Sequence, residues 1–517
     1  MMRRQKRRVL TAGGLLLLCG VSWLHQNFYD LQADDAFISY RYAANWAAGH
    51  GPVFNTGERV EGYSNFLLVA LLALVRRAGG DVVHASRTLG TLACWALLVA
   101  MYLQLRRGFR RGTGLALAGS AALALHAGIS TFARSGLEAI PLVLTVLLAQ
   151  SIFLEDCRRG RSHVRAGLLF GVIALLRADG FVFCAATALF LVSTRRGWRE
   201  VWSLAWPFGV VFVPYFAWRW SYYGFLLPNP YYLRTGGDIY QQLRGLFYLA
   251  KFVVPFGGVL LFGLPLLLLT LRDPERDRDR LYLATCVATV AGYVVWVGGD
   301  HMPMGRFLLP VVPALTILIL EAVHEIAVHV RASGRVASGR NEALQAVLVG
   351  LVLLSGFLPT LNPRREPHSH VIESRTQAEQ WSLAGRWLAA HVDPSTVLAT
   401  DAVGALSYYS GLRIVDMLGV TDRHIAHLRI ANMGHGTAAH EKRDFDYVLS
   451  RRPDLIYRGV VESECAAGLR TTYADGSSYV LRCVALGRRP VADRFGVVRE
   501  PELFLAYEER EPPSLKE

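Results

Sequence analysis

Long apolar segments separated by short polar ones dominate the first 360 residues of the chain. Apolar runs that approach the roughly 20 residues needed to cross a bilayer core recur from Val9 to Pro359. They predict eleven membrane-spanning helices, at residues 9–25, 88–105, 113–129, 136–154, 164–177, 180–194, 201–221, 252–271, 281–298, 306–324 and 343–360. A further apolar segment, 65–75, is shorter than the lower limit of roughly 17 residues for a span. It predicts a juxtamembrane helix in the outer interface, with Arg76 and Arg77 at the headgroups.

Basic residues cluster in the short connections between these segments. The clusters lie at residues 3–8, 106–111, 155–161, 194–200, 272–280 and 329–340. Loops of this kind remain in the cytoplasm, so the amino terminus is predicted inside and the carboxyl terminus outside. The first apolar segment resembles a signal peptide, but no small-x-small cleavage site follows it, and it predicts an uncleaved span.

The pattern changes at about residue 361, where apolar runs shorten to strand length. Residues 376–392 predict a helix, and residues 396–400 and 413–419 predict strands that flank a short helix ending at Gly411. Asp401 and Asp416 fall at the carboxyl ends of the two strands, where open α/β sheets place their ligands. Cys465 and Cys483 are predicted either to pair in the oxidising compartment or to remain buried thiols.

Composition and charge agree with the membrane interpretation. Hydrophobic residues make up 52% of the 517 residues, and the mean hydropathy is +0.29. The net charge of +14 comes from clusters between apolar segments, which indicates membrane topology and excludes nucleic acid as the partner. The predicted fold class is therefore a polytopic α-helical membrane protein, residues 1–360, with a first exoplasmic loop at 26–87. An exoplasmic α/β domain, residues 361–517, follows it.

Polar chemistry concentrates in the segments predicted to face outward. The first loop, QADDAFISYRYAANWAAGHGPVFNTGERVEGYSNF at residues 32–66, places Asp34 and Asp35 next to the membrane, where ionisable groups usually face a cavity or a partner. The two carboxylates have three candidate roles: ligands of a divalent metal, a general base, or an N-cap formed by Asp35. Asp34 and Arg41 share a helical face, which predicts a cation–carboxylate cluster able to combine a base with a phosphate clamp.

The first-loop segment resembles that of bacterial glycosyltransferases of the GT-C fold, which take a sugar from a polyprenyl-phosphate donor. It is similar to the terminal β-(1→2)-arabinofuranosyltransferases of mycobacterial cell-wall synthesis and to related bacterial enzymes. Further matching segments are SGLEA, RADG, YYGFLLPNPYYLRTGG, GGDHMPMGRFLLP and DAVGALSYYSGLRIVDMLGVTDRHIA, so that the resemblance covers nearly the whole chain.

The resemblance implies an inverting transfer on the exoplasmic face of the bacterial cytoplasmic membrane. Asp34 or Asp35 would be the catalytic base, and Glu138 would line the same cavity. The donor would be a polyprenyl-phosphate-linked sugar, and the acceptor a glycan or glycolipid of the cell envelope. The candidate substrate-binding residues, from both the polar pattern and the resemblance, are Arg41, Glu58, Arg59, Glu61, Tyr63, Asn65, Glu138, Arg177, Asp179, Asn229, Tyr232, Asp300, His301, Arg306, Asp401 and Asp416.

Two other classes of function are compatible with many apolar segments. A lipid-linked-sugar flippase would carry polar groups through the depth of the bundle, or an internal repeat. A non-catalytic envelope-assembly protein would not require the carboxylate pair. The sequence leaves open the sugar, the acceptor, the polyprenol length and the use of a divalent cation.

Overall fold

A computed structural model of the chain describes residues 2–254, 277–332, 338–362, 364–462, 467–488, 491–492, 498–499 and 501–512. The chain divides into two compact units. The first contains residues 1–30, 86–219 and 242–368, and the second contains residues 31–85, 220–241 and 369–517. The predicted domain boundary at 360 lies close to the break at 368, and the second unit additionally contains most of the first loop.

The first unit is built from apolar helices. In chain order they are α1 (Met2–Tyr29), α4 (Val82–Leu103), α5 (Thr113–Ala124), α6 (Ala127–Ala133), α7 (Ala139–Arg159), α8 (Val164–Leu176), α9 (Phe181–Ser193), α10 (Trp198–Tyr223), α12 (Ile239–Val253), α13 (Arg278–Val297), α14 (Val312–Ala332) and α15 (Ser338–Leu361). A π-helical turn, Gln104–Gly108, follows α4, and 3₁₀ segments, Ala178–Gly180 and Pro303–Val311, precede α9 and α14. Residues at the ends of α4, α10 and α12 belong to the second unit.

Seven of the described helical segments are long and apolar enough to cross a membrane, and an eighth is possible if α5 and α6, bent by 60°, form one broken span. The shorter apolar helices α8 and Ala178–Ser193 coincide with two more predicted spans. Predicted span 252–271 lies almost entirely outside the described residues. The apolar pattern therefore located helices correctly, while the total of eleven spans stays a prediction.

Helix α10 shows how the sequence marks membrane depth. Its middle exposes Val210 and Val213, and exposed indoles lie on both sides of them, at Trp198, Trp202, Trp206, Trp218 and Trp220. The helix has 26 residues and is about 39 Å long, enough to cross a bilayer hydrocarbon core. Tryptophan is enriched at membrane interfaces.

The second unit combines helices with a mixed sheet. The helices are α2 (Asp34–Ala47), α3 (Phe66–Arg77), α11 (Asn229–Arg234), α16 (His368–His391), α17 (Ala405–Ser410), α18 (Arg423–His427) and α19 (Phe445–Ser450). The strands are β1 (Val397–Thr400), β2 (Arg413–Asp416), β3 (Leu455–Val461), β4 (Arg470–Thr472), β5 (Ser478–Arg488), β6 (Val491–Ala492), β7 (Val498–Arg499) and β8 (Glu502–Arg510). Six strands form one sheet in the order β2-β1-β3-β8-β5-β4, and β6 pairs with β7.

The predicted strand–helix–strand unit is present. β1 and β2 are parallel with Thr400 opposite Asp416, and β1 is also parallel to β3, whereas β8, β5 and β4 pair in antiparallel fashion. Apolar residues from the strands and from α18 and α19 form the core beneath the sheet. The core residues are Ala399, Val415, Ile425, Val448, Leu449, Ile456 and Tyr479. Cys483 is disulfide-bonded, and its predicted partner Cys465 lies outside the described residues.

Helix α3 corresponds to the apolar segment predicted not to cross the membrane. Its 12 residues span about 18 Å, well short of the ~30 Å hydrocarbon core. Leu68, Val69, Leu72 and Ala73 are buried, and the helix packs along α2. The prediction of a short helix is confirmed, and its position at the membrane surface stays a prediction.

Candidate active site

The adjacent aspartates of the first loop begin helix α2. Ala33 is the N-cap residue and has no side-chain cap hydrogen bond, while Asp34 and Asp35 occupy the first turn. The interpretation of Asp35 as N-cap is therefore wrong. Negative charge in the first turn is favourable because the helix dipole is positive there. This effect accounts for the position of the aspartates on α2.

The carboxylate of Asp34 is held by the segment between β1 and α17. Its Oδ1 accepts a hydrogen bond of 2.7 Å from the backbone N–H of Ala405. A Cβ on Gly404 would lie only 2.3 Å from the Oδ2 and the backbone oxygen of Asp34, so this approach requires glycine. Burial, together with the neighbouring charge of Asp35, raises the pKa of Asp34 to about 7, against the effect of the Ala405 and Gly404 N–H groups. A positioned carboxyl with this pKa can accept a proton near neutral pH.

The guanidinium of Arg41 has a structural role that differs from the predicted one. It is buried, and its Nε donates to the carbonyl of Phe54 at 2.8 Å. Its terminal nitrogens donate to the carbonyls of Ser407 and Leu412, each at 2.6 Å, and to Oδ1 of Asn55 at 3.1 Å. These donors are used by carbonyl oxygens, so Arg41 does not form the predicted cluster with the aspartates. Arg41 instead links α2, the first loop, α17 and the segment between α17 and β2.

Asn55 and Glu58 fasten the first loop to β2 and α19. The amide of Asn55 donates to the carbonyl of Ile414 at 2.8 Å and accepts from its N–H at 3.1 Å, as a neighbouring strand would. Glu58 pairs with Arg413 and Arg451. Burial opposes ionisation of Glu58, but the hydrogen bond from Asn55 and the two guanidinium groups hold its pKa below the ordinary value. Glu58 therefore acts as an anchor of the loop.

Three further first-loop candidates are buried within the second unit. Glu61, Tyr63 and Asn65 are each 5% exposed or less. The hydroxyls of Tyr63 and Tyr223 lie 3.0 Å apart, and Oδ1 of Asn65 accepts from the hydroxyl of Ser39 at 3.1 Å. These buried contacts hold the first loop in its conformation. Their predicted contact with substrate stays a prediction.

Arg59 differs from its neighbours because it is exposed. Its guanidinium lies 4.6 Å above the ring of Tyr222, in a cation–π contact. Its backbone carbonyl accepts a hydrogen bond of 3.0 Å from Arg423. An exposed guanidinium held beside an aromatic ring suits an oxyanion.

The candidates in the segment 229–232 support the loop after β2. The side-chain amide of Asn229 donates to the carbonyls of Gly419 and Asp422, each at 2.9 Å, and of Val420 at 3.2 Å. The carbonyl of Tyr232 accepts from Nζ of Lys442 at 2.9 Å. Asn229 is therefore more than the turn residue that its position between two prolines indicates.

The two aspartates at the strand ends have different surroundings. Asp416 is buried, and its carboxylate accepts from the N–H groups of Leu418 and Gly419 and from both N–H and hydroxyl of Thr421. Burial raises its pKa against these hydrogen bonds. Asp401 is exposed at the end of β1. Asp416 thus organises a loop, and only Asp401 presents its carboxylate at the edge of the sheet.

The first unit gathers the remaining six candidates into one group. Nε of Arg177 donates to Oδ1 of Asp179 at 2.8 Å, and its NH1 lies 3.7 Å from Oε1 of Glu138. Nε of Arg306 donates to Oδ2 of Asp300 at 2.7 Å. The ring nitrogen Nδ1 of His301 lies 3.5 Å from Oδ1 of Asp300. These side chains are therefore paired with one another, and their predicted contact with substrate stays a prediction.

The ring of Phe307 joins the two arginines of this group. The Cζ atoms of Arg177 and Arg306 lie 4.1 and 5.7 Å from its centroid. The segment that carries Asp300 and Arg306 is irregular, with positive φ at Gly298, Gly299, Met304 and Gly305. A Cβ at Gly299 or Gly305 would lie 2.7 or 2.4 Å from the rings of Tyr248 or Phe252. Non-helical backbone of this kind occurs within membranes only where protein encloses it or where it lines a cavity.

A metal centre has no direct support. Among the described residues, no group of three or more His, Cys, Asp or Glu side chains could hold a metal ion.

Sequence reasoning missed the positioning groups Gly404, Ala405 and Asn55. The signal for the first two was a small-residue turn after a strand, DAVGA at 401–405, which places N–H groups at the sheet edge.

The sequence comparisons identify membrane glycosyltransferases as relatives. The chain is 29% identical over 318 residues to a terminal β-(1→2)-arabinofuranosyltransferase of Mycobacterium tuberculosis, covering 54% of this chain and 50% of the relative. It is also 29% identical over 322 residues to the enzyme of that name from Corynebacterium glutamicum, covering 54% and 46%. The chain thus spans about half the length of the curated relatives it matches. Residues 370–496 match a family described as a domain of unknown function, DUF8728.

Two solved structures with similar folds contain a bound lipid phosphate. ArnT from Cupriavidus metallidurans bound to undecaprenyl phosphate superimposes with a TM-score of 0.56 at 15% identity, covering 97% of this chain and 98% of that one. The archaeal oligosaccharyltransferase AglB from Archaeoglobus fulgidus, in complex with an inhibitory peptide and a dolichol-phosphate, gives a TM-score of 0.51 at 11% identity, covering 80% and 65%. The chain therefore has the GT-C fold of membrane glycosyltransferases and resembles the terminal β-(1→2)-arabinofuranosyltransferases in sequence.

Proposed function

We propose that the protein transfers a sugar, such as arabinofuranose, from a polyprenyl-phosphate donor to a glycan or glycolipid of the cell envelope. The transfer takes place on the exoplasmic face of the bacterial cytoplasmic membrane. The observation that carries the proposal is the first-loop carboxylate of Asp34, fixed by backbone N–H groups and poised to titrate near neutral pH. The named relatives and the GT-C fold support the reaction class and the lipid-linked donor.

The reaction is a single displacement at the anomeric carbon. Asp34 accepts the proton of the acceptor hydroxyl. At the same time the oxygen of that hydroxyl bonds to the anomeric carbon of the donor sugar. The bond from that carbon to the phosphate oxygen breaks, and the polyprenyl phosphate leaves with the electron pair. The configuration inverts because attack comes from the face opposite the leaving group. Asp34 is the aspartate whose carboxylate accepts from the N–H of Ala405, and its pKa, raised to about 7 by burial, suits a base near neutral pH.

The departing phosphate requires a cation, and Arg59 is the arginine that we assign to it. The donors of Arg41 are used by carbonyl oxygens and the buried Arg306 pairs with Asp300. Arg59 is exposed and is held beside the ring of Tyr222. A guanidinium in this setting can donate two parallel hydrogen bonds to a phosphate.

Separate substitutions of the aspartates test the base assignment. Asp34→Asn retains an oxygen that can accept from Ala405, so the fold is preserved while the base is lost. We expect transfer from polyprenyl-phosphate arabinose by the full chain in proteoliposomes to fall by about 10²–10⁴-fold. The matched control, Asp446→Asn, removes an exposed carboxylate from the first turn of α19 and should leave the rate unchanged. Full activity in Asp34→Asn would exclude Asp34 as the base, and a loss restricted to Asp35→Asn would transfer that role to Asp35.

A further inference from the structure

The second unit carries a surface depression outside the first-loop site. Its volume is about 600 Å³, and it opens widely to solvent. The lining residues combine aromatic rings, imidazoles and one guanidinium, and they are Phe225, Arg423, His424, His427, Leu428 and Tyr447. None of the contacts described for the first-loop aspartates involves these side chains.

One wall of the depression is a pair of stacked rings held by carboxylates. The rings of His424 and Tyr447 lie 4.1 Å apart at 22°. Nε2 of His424 lies 2.7 Å from Oδ2 of Asp444, and the hydroxyl of Tyr447 donates to Oδ2 of Asp422 at 2.8 Å. These bonds fix the orientation of both rings before any ligand arrives, which reduces the entropy lost on binding.

A second cluster of rings in the lining contains Phe225 and His427. Their ring centroids lie 4.6 Å apart, and the ring of Tyr232 lies 4.1 Å from that of His427 at a tilt of 32°. The guanidinium of Arg423 lies 4.9 Å above Phe225 and donates to the carbonyl of Arg59 at 3.0 Å. Arg423 thus connects the depression to the residue assigned to the donor phosphate.

The charges around the depression nearly balance. Arg423 and Lys442 supply two positive charges, and Asp422 and Asp444 supply two negative ones. Next to Tyr447, Arg451 shares the single carboxylate of Glu58 with Arg413, so that one positive charge remains. Burial, reinforced by the charges of Lys442 and Arg423, lowers the pKa of His427, so its imidazole is neutral at pH 7. A neutral ligand with hydroxyl groups suits this surface better than an anion does.

We propose that this depression binds the acceptor as a neutral glycan chain. The fixed rings offer faces for the C–H side of a sugar ring, and Arg423 and the imidazole edges offer hydrogen bonds to hydroxyls. The inference rests on the proposed glycosyltransferase function, and it assigns the substrate class to a surface that the base and the donor do not occupy.

Substitution of Phe225 tests the site in the full-length protein in nanodiscs, with a soluble arabino-oligosaccharide as the probe. Phe225→Ala should weaken oligosaccharide binding, measured by saturation-transfer NMR, and raise the acceptor KM by about tenfold. Arg423→Gln should raise the acceptor KM by about fivefold. Phe225→Tyr keeps the ring, so its oligosaccharide binding and acceptor KM should equal those of the wild-type protein. Arg429→Gln removes an exposed neighbouring charge and serves as the control with unchanged values.

The outcomes separate this inference from the proposed function. If the wild-type protein binds the oligosaccharide through Phe225 but transfers no sugar, the glycan site stands and the proposed function fails. If the wild-type protein transfers sugar while Phe225→Ala binds the probe and uses the acceptor normally, the inference is overturned alone. Displacement of the probe by inorganic phosphate or by polyprenyl phosphate would also overturn it, because the depression would then be an anion or lipid site.

Discussion

At the scale of single residues, the most informative contact joins Asp34 to Ala405, 371 positions further along the chain. The carboxylate is held by backbone N–H groups, so its orientation depends on the turn after β1 rather than on another side chain. Gly404 permits the approach, because a Cβ there would lie 2.3 Å from Asp34. Two predictions follow from this geometry.

The activity should depend on the ionisation of Asp34. Its pKa, raised to about 7 by burial, means that the carboxylate form needed to accept a proton prevails only above this pH. We therefore expect kcat/KM to rise as the pH increases through about 7, with the slope of a single ionisation. The measurement is a pH–rate profile of sugar transfer. A rate that is flat between pH 5 and 8 would contradict a base with this pKa.

Gly404→Ala should displace Asp34 while leaving the sheet intact. Because the new Cβ meets a backbone oxygen as well as the carboxylate, relief requires a shift of the chain, and misplacement of a catalytic group costs up to about 10²-fold in rate. The apparent pKa of the pH–rate profile should also move, which simple loss of stability would not cause. Gly350→Ala, where nothing lies within 4 Å of the new Cβ, is the matched control. An unaltered profile in Gly404→Ala would show that the contact does not position the base.

At the scale of elements, the first unit joins helix ends through ionic contacts. Glu138 is the N-cap of α7, Arg177 the C-cap of α8, and Asp300 lies just after α13. Arg177 pairs with Glu138 and Asp179, Arg306 pairs with Asp300, and the ring of Phe307 lies next to both guanidinium groups. Removal of one side chain from this buried group leaves the charge of its partner without a counter-charge.

Arg177→Gln should therefore destabilise the protein more than the loss of an exposed arginine does. We expect a loss of about 3–5 kcal/mol in the free energy of unfolding, since Glu138 and Asp179 lose their cation. Arg159→Gln, which breaks an exposed pair with Glu155, should cost at most about 1 kcal/mol. Melting temperatures in the same detergent compare the two variants. An unchanged melting temperature together with lost transfer would instead assign Arg177 to substrate binding.

At the scale of the whole molecule, the first loop and the tail belong to one compact unit, although most of the first unit lies between them in the chain. Arg41 and Asn55 bind backbone groups of residues 407, 412 and 414. Deletion of the tail beyond residue 365 would deprive these buried side chains of their acceptors. Such a truncation would damage the first loop itself, so point substitutions are the better test of the tail.

The topology predicted from loop charge places Arg107 inside and the tail outside. Single cysteines at two exposed positions, Arg107→Cys and Asp475→Cys, test it with a membrane-impermeant maleimide. We expect intact cells to label only Asp475→Cys, and Arg107→Cys to react only after permeabilisation, because basic loops remain in the cytoplasm. The unsubstituted chain gives the background from its native cysteines. Labelling of both variants in intact cells would invalidate the topology and the count of eleven spans.

The sequence alone determined those features that repeat along the chain. Apolar length located the membrane helices and distinguished α3 from them, because the bilayer sets a minimum span. The spacing of apolar positions, together with the turn residues, predicted the β1–α17–β2 unit. Two adjacent carboxylates beside a predicted span indicated the candidate site. These signals are local, so they can be recognised without knowledge of the fold.

Only the tertiary structure decided which partners the polar side chains take. Arg41, Asn55 and Asn229 bind backbone groups, and Gly404 and Ala405 hold Asp34 through the main chain. A backbone carbonyl or N–H is the same at every residue, so the sequence has no signal for which one will be near. Arg41 and Asp34 share a helical face, yet their partners come from residues more than 360 positions away. The physical reason is that local spacing places a side chain on a face, whereas long-range packing decides what that face meets.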